Sequence, residues 1–190
     1  MENWVKEYIA AEKRALDSIS AKEVVKLIEK LSDANREGRQ IFVFGNGGSG
    51  ANASHFSIDL AKNAAEAVGK PFMVHSLSNH VNWITAIGND YSFEDIFARQ
   101  LSSYAKEGDI AFALSVSGNS PNILKAINFA KEKGLYTIAL LGNKGGKGAA
   151  GIADLAFVID SDHYGRAEDT MMTLCHMLCY SFVENAGKPR

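Results

Sequence analysis

A doubly wound α/β fold, with a five-stranded parallel sheet flanked by helices and preceded by a helical pair, is what this sequence predicts. Three observations carry that expectation. From Gln40 onward, short β-rich runs alternate with helical stretches, the rhythm of parallel strands joined by crossover helices. Several of the runs are apolar on every residue, as strands covered on both faces must be. Glycine- and serine-rich turns follow the runs and lead into helices.

Residues 1–37 read as the helical pair and 38–190 as the α/β core of one domain. Trp4, Val5, Tyr8, Ile9, Ala15, Leu16 and Ile19 recur at helical spacing, with Glu12 interrupting the stripe, and Val24, Leu27, Ile28 and Leu31 repeat the pattern. Ser20 followed three residues on by Glu23 is a capping box that starts the second helix. The strands are expected at 41–44, 72–77, 110–115, 136–141 and 155–160. Helices are expected near 51–67, 79–87, 93–104, 123–133 and 167–184. No linker, charge block or repeat divides the chain.

Composition narrows the function classes. The 190 residues are 46% hydrophobic and 22% charged, enough for an ordinary core without disulfides or structural metal. A net charge of −2 gives no whole-chain attraction to nucleic acid or to an anionic membrane. No apolar run approaches the roughly 20 residues that span a bilayer. The start, Met1-Glu2-Asn3-Trp4, is unlike a signal peptide. Cys175 and Cys179, four apart in an apolar helical stretch, read as buried free thiols in a reducing compartment.

In such sheets ligands lie beyond the carboxyl ends of the strands. After the first strand stands Gly45-Asn46-Gly47-Gly48-Ser49-Gly50, whose bare backbone and helix start suit an anion. The string also fits a dinucleotide fingerprint, but the second strand runs into His75-Ser76-Leu77 where that fingerprint needs an acidic residue, so a nicotinamide cofactor is a decoy. After the third strand, Ser115-Val116-Ser117-Gly118-Asn119-Ser120-Pro121 places hydroxyls and free N–H groups around a helix start, with Ser120 as cap and Pro121 in the first turn. A capped turn would account for Ser120 and Pro121 but not for Ser115, Ser117 and Gly118, so a phosphate cradle without a lysine is favoured. Asn89 and Asp90 end a glycine-containing turn. The Gly142–Gly148 stretch lacks the Ser or Thr of a nucleotide-triphosphate loop and reads as a surface loop.

His55 and Asp59, four apart, share one helix face, a spacing open to metal binding, to acid–base work or to a plain surface ion pair. Glu168 and His176 lie on the last helix, about 12 Å apart along its axis. His176 in an apolar stretch is more often a core residue than a ligand. One ion held by all four would need a neighbouring subunit.

Together these residues resemble the sugar isomerase (SIS) superfamily and, within it, the phosphoheptose isomerases. The likeness runs through the N-terminal helices, Gly45-Asn46-Gly47-Gly48-Ser49, His55-Phe56 and Gly88-Asn89-Asp90. It continues in Phe93-Glu94-Asp95-Ile96-Phe97, Ser117-Gly118-Asn119-Ser120, Lys125-Ala126-Ile127, Lys133-Gly134 and Gly145-Gly146-Lys147. The resemblance implies a cytoplasmic homotetramer with sites between subunits. It implies an enzyme converting sedoheptulose 7-phosphate to D-glycero-D-manno-heptose 7-phosphate through an enediol(ate), for bacterial surface-polysaccharide precursors. Asn46, Gly47, Gly48, Asn89, Asp90, Ser115, Val116, Ser117, Ser120 and Glu168 would contact substrate. Asp59 and His176 would be catalytic, and His55, Asp59, Glu168 and His176 would hold zinc. Four positions depart from the family pattern: Asp59 for a glutamate, Glu168 for a glutamine, Val116 for a threonine and Asn63 for an arginine. The alternative is a non-catalytic SIS regulator that binds a phosphosugar or a protein such as the replication initiator; the retained His55, Asp59 and His176 argue against it.

Overall fold

The computed structural model describes residues 1–143 and 147–187. Strands β1 (Gln40–Gly45), β2 (Met73–Ser76), β3 (Ile110–Ser115), β4 (Tyr136–Gly142) and β5 (Leu155–Ile159) form one parallel sheet in the order β2-β1-β3-β4-β5. The chain reverses direction across the sheet between β1 and β3, so the crevice at their carboxyl ends is the ligand-binding switch point of this topology.

Alternation along the strands builds two cores. Ile41, Val43, Ile110, Phe112, Leu114, Ile138 and Leu140 face one layer, while Phe42, Phe44, Ala111, Ala113, Ala139 and Leu141 face the other. The first layer is α1 (Glu2–Asp17), α2 (Ala21–Glu37), α3 (Gly47–Asp59), α4 (Ala65–Val68) and α9 (Tyr164–Glu184). The second is α5 (Val81–Asp90), α6 (Ala98–Tyr104), α7 (Pro121–Glu132) and α8 (Lys147–Ile152).

Several boundaries differ from the sequence reading for local reasons. The helix expected near 51–67 begins at Gly47 and contains a π turn, Leu60–Ala64, between α3 and α4. Asn89 and Asp90 close helix α5 rather than forming a turn, and a 3-10 segment, Phe93–Asp95, precedes α6. The capping box at Ser20 is half made. Its hydroxyl accepts the Glu23 N–H at 3.4 Å, but the Glu23 carboxylate takes Lys26 at 2.8 Å instead of reaching back. In the expected 142–148 surface loop, residues 144–146 lie outside the described residues. Its far end is helical and docked: the Gly148 N–H donates to Asn119 Oδ1 and the Ala149 N–H to the Gly118 carbonyl. Trp4, Val5 and Ile9 of α1 stay exposed. No described helix is long and apolar enough to cross a membrane.

Candidate functional site

Two loops at the switch point share one cavity of about 350 Å³. From β1, Asn46 is extended and Gly47 adopts φ +52, a left-handed turn that only glycine takes without strain. Ser78 ties the loop down, its hydroxyl accepting the Gly45 N–H and donating to the Gly45 carbonyl. From β3, the Ser115 hydroxyl accepts the Gly118 N–H at 3.1 Å, and Ser117 accepts the Asn119 N–H at 3.3 Å. Ser120 stands at the N-cap of α7 with Pro121 next, yet its hydroxyl makes no cap bond and lies 3.3 Å from Ser117 Oγ. The loops are locked together by a reciprocal amide pair, Asn46 and Asn122, with both bonds at 2.9 Å.

The cavity is lined by the first residues of three helices: Gly47 to Ser49 of α3, Ser120 ahead of α7, and Tyr164 with Glu168 of α9. The amino ends of three helices therefore converge where an anion would sit, and among the described residues no lysine or arginine lines the cavity. Glu168 is the one carboxylate among its described lining residues. It lies over Gly48, where a Cβ would come within 2.2 Å of its Oε2, and 3.4 Å from Ser49 Oγ. Asn52 holds that part of α9 by donating to the Glu168 carbonyl at 2.8 Å.

A second group lies further along the same two helices. Asp59 Oδ2 is 3.4 Å from His55 Nε2 and 3.7 Å from His176 Nε2, and one ligand atom from each residue falls within 4.8 Å of the others. Donors on a tetrahedral zinc with bonds near 2.05 Å stand about 3.3 Å apart, so two imidazoles and a carboxylate so placed fit such an ion and leave a fourth position open. Asp59 is buried, whereas the side chains of His55 and His176 are 54% and 43% exposed, so the open side faces outward. Burial, then the Asp59 charge, push the Cys175 thiol well up and the Cys179 thiol up to about 11, so neither offers a thiolate near neutrality.

The structure thus brings Asn46, Gly47, Gly48, Ser115, Val116, Ser117, Ser120 and Glu168 to one cavity, and His55, Asp59 and His176 to another place. Glu168 does not join that triad within the chain, because α3 and α9 run side by side and the two groups lie about 12 Å apart along them. Asn89 and Asp90 are exposed, bond to each other at 2.8 Å and line neither the cradle nor the apolar cleft behind the glycine loop. Sequence reasoning missed Ser78, Asn122 and Tyr164. Asn46 and Asn122 are 76 residues apart, a pairing no local pattern announces.

The SIS domain family profile matches residues 6–142. The chain belongs to the SIS domain family and, within it, to the phosphoheptose isomerases. A probable phosphoheptose isomerase of Thermoplasma acidophilum is 37% identical over 174 residues, covering 92% of this chain and 94% of that protein. The phosphoheptose isomerase of Trichlorobacter lovleyi is 40% identical over 157 residues, covering 82% and 79%. The structure of phosphoheptose isomerase GmhA from Neisseria gonorrhoeae superposes with a TM-score of 0.86 at 29% identity, over 96% of this chain and 98% of that one.

Proposed function

We propose that this chain, acting as one domain over its whole length, is a phosphosugar aldose–ketose isomerase whose substrate is sedoheptulose 7-phosphate and whose product is D-glycero-D-manno-heptose 7-phosphate. The observation that carries the reading is the cavity on which three helix N-termini and the serine loop converge, with no lysine among its described lining residues, in a chain of this family. Such a cavity suits a phosphate group, held by N–H groups with the hydroxyls of Ser117 and Ser120. Glu168, a carboxylate, suits the hydroxyl-bearing end of the sugar rather than the phosphate.

The reaction moves one proton between neighbouring carbons and one between their oxygens. Asp59 takes the proton from the carbon beside the carbonyl, leaving an enediol(ate), and returns it to the adjacent carbon. His176 carries the proton from one oxygen to the other. A zinc ion held by His55, Asp59 and His176 supplies, when bound, a Lewis acid toward the carbonyl oxygen. A carboxylate has about four lone-pair sites, so Asp59 can serve the ion through one and the substrate proton through another.

The triad lines neither cavity and lies about 12 Å further along α3 and α9 than the cradle. We therefore assign the complete site to two subunits, the cradle of one meeting the triad of its neighbour in a cytoplasmic homotetramer. Exposed Ile58, Met177 and Tyr180 beside the imidazoles, and Trp4, Val5 and Ile9 on α1, supply apolar surface for that contact. Purified, zinc-loaded protein should convert sedoheptulose 7-phosphate to the aldose, followed by NMR. Binding without conversion of any five- to seven-carbon ketose phosphate would favour the regulator reading instead.

A further inference from the structure

Asp59 and the two imidazoles do not exhaust what holds this triad. The π turn Leu60–Ala64 follows Asp59 at once, and a single wide turn inserted in a helix often marks a site where side chains have been re-aimed. One residue of that turn, Asn63, places its side-chain nitrogen 3.2 Å from Asp59 Oδ1. A carboxylate only accepts, so the amide nitrogen is the group that faces it. On the backbone side, Cys179 Sγ donates to the Asp59 carbonyl at 3.3 Å.

The last torsion of an aspartate is broad and close to two-fold, so its oxygens exchange readily unless one is tied. With Oδ1 engaged by Asn63, Oδ2 is the oxygen presented to His55 at 3.4 Å and His176 at 3.7 Å. Asn63 can do this without altering the balance of the site. It brings no charge that would neutralise the carboxylate, and an amide nitrogen is no ligand that would compete for an ion.

We propose that Asn63 is the positioning residue of the triad: its amide sets the plane of the Asp59 carboxylate so that a divalent transition-metal ion can be held between Oδ2 and the two imidazoles. The inference rests on the reading of His55, Asp59 and His176 as a metal site, and it assigns Asn63 no contact with substrate. Outer hydrogen-bonding partners of ligating carboxylates are worth about 10–100-fold in metal affinity.

The test uses the full-length protein stripped of metal and titrated with zinc against a chromophoric chelator, then with cobalt while the visible spectrum is recorded. Asn63→Ala should weaken zinc about 10–100-fold and change the cobalt bands, with the metal-free melting temperature held near that of the unchanged protein. Asn63→Gln keeps the donor and should recover part of both signals. His55→Ala is the reference, removing a ligand outright. If His55→Ala loses zinc while Asn63→Ala binds zinc and cobalt as the unchanged protein does, the role of Asn63 is overturned and the metal site stands. If His55→Ala leaves zinc binding untouched, the metal-site reading fails and this inference falls with it.

Discussion

Helices α3 and α9 carry both halves of the site, and the halves are built on different terms. At their amino ends the cradle is closed within one chain. Its two loops are pinned, through Ser78 on Gly45, Asn46 on Asn122 and, within the serine loop, Ser115 on Gly118. Further along, the triad presents two imidazoles half in solvent, with only Asp59 buried. An anion can be gripped by preformed backbone N–H groups at little reorganisation cost, whereas proton transfer needs groups that meet the substrate from outside the grip. The difference teaches that binding and chemistry are separable here by substitution.

The sharpest way to exploit that separation is at Asp59. Asp59→Asn should lower kcat by about 10²–10⁴-fold while leaving inorganic phosphate binding, measured by calorimetry, unchanged. A parallel loss of phosphate binding would mean that the two regions are not independent.

Gly48→Ala attacks the other half. A methyl group meeting the Glu168 carboxylate at 2.2 Å must swing that side chain aside, and a shift near 1 Å of a group that orients the sugar should cost about 100-fold in kcat/KM. Zinc affinity at the triad should not move.

Glu168→Gln is milder and sharpens the charge argument. Two unit charges some 4 Å apart in water repel by about 1 kcal/mol, so removing this one should tighten inorganic phosphate binding roughly 5-fold. Unaltered phosphate affinity at low salt would place the anion farther from Glu168 than the cradle geometry implies.

The smallest effect lies at the opposite edge of the sheet, far from both halves. Burial works to raise the Asp154 carboxyl, but the Thr137 N–H and hydroxyl and the Lys131 ammonium outweigh it and hold the group below its ordinary value. Such a depressed carboxyl contributes stability above its unfolded value near 3.9, and that contribution is lost as pH falls through the folded value. Asp154→Asn should destabilise by about 1 kcal/mol in urea unfolding at pH 7, with less difference at pH 3, and should spare activity.

Much of this architecture was legible because it is written in local periodicity. Strands apolar on every residue announced a doubly covered sheet, and glycine or serine turns before helices announced the cradle. What stayed hidden depends on long-range contact. The π turn after Asp59 has no sequence mark, since Leu60 to Ala64 read as ordinary helix. The capping box at Ser20 looked complete until Lys26 claimed Glu23. That Glu168 stands apart from His176 was readable from helix rise alone, and it sits at the cradle end of α9.

The central claim is that a working site joins the cradle of one subunit to the triad of another, and mixing inactive partners tests it most directly. Gly48→Ala and Asp59→Asn proteins, dissociated together and reassembled, should regain activity that neither has alone, up to about a quarter of wild-type sites under random assortment in a symmetric oligomer. Mixed oligomers shown by native mass spectrometry to have formed, yet no more active than the parents, would contradict the account.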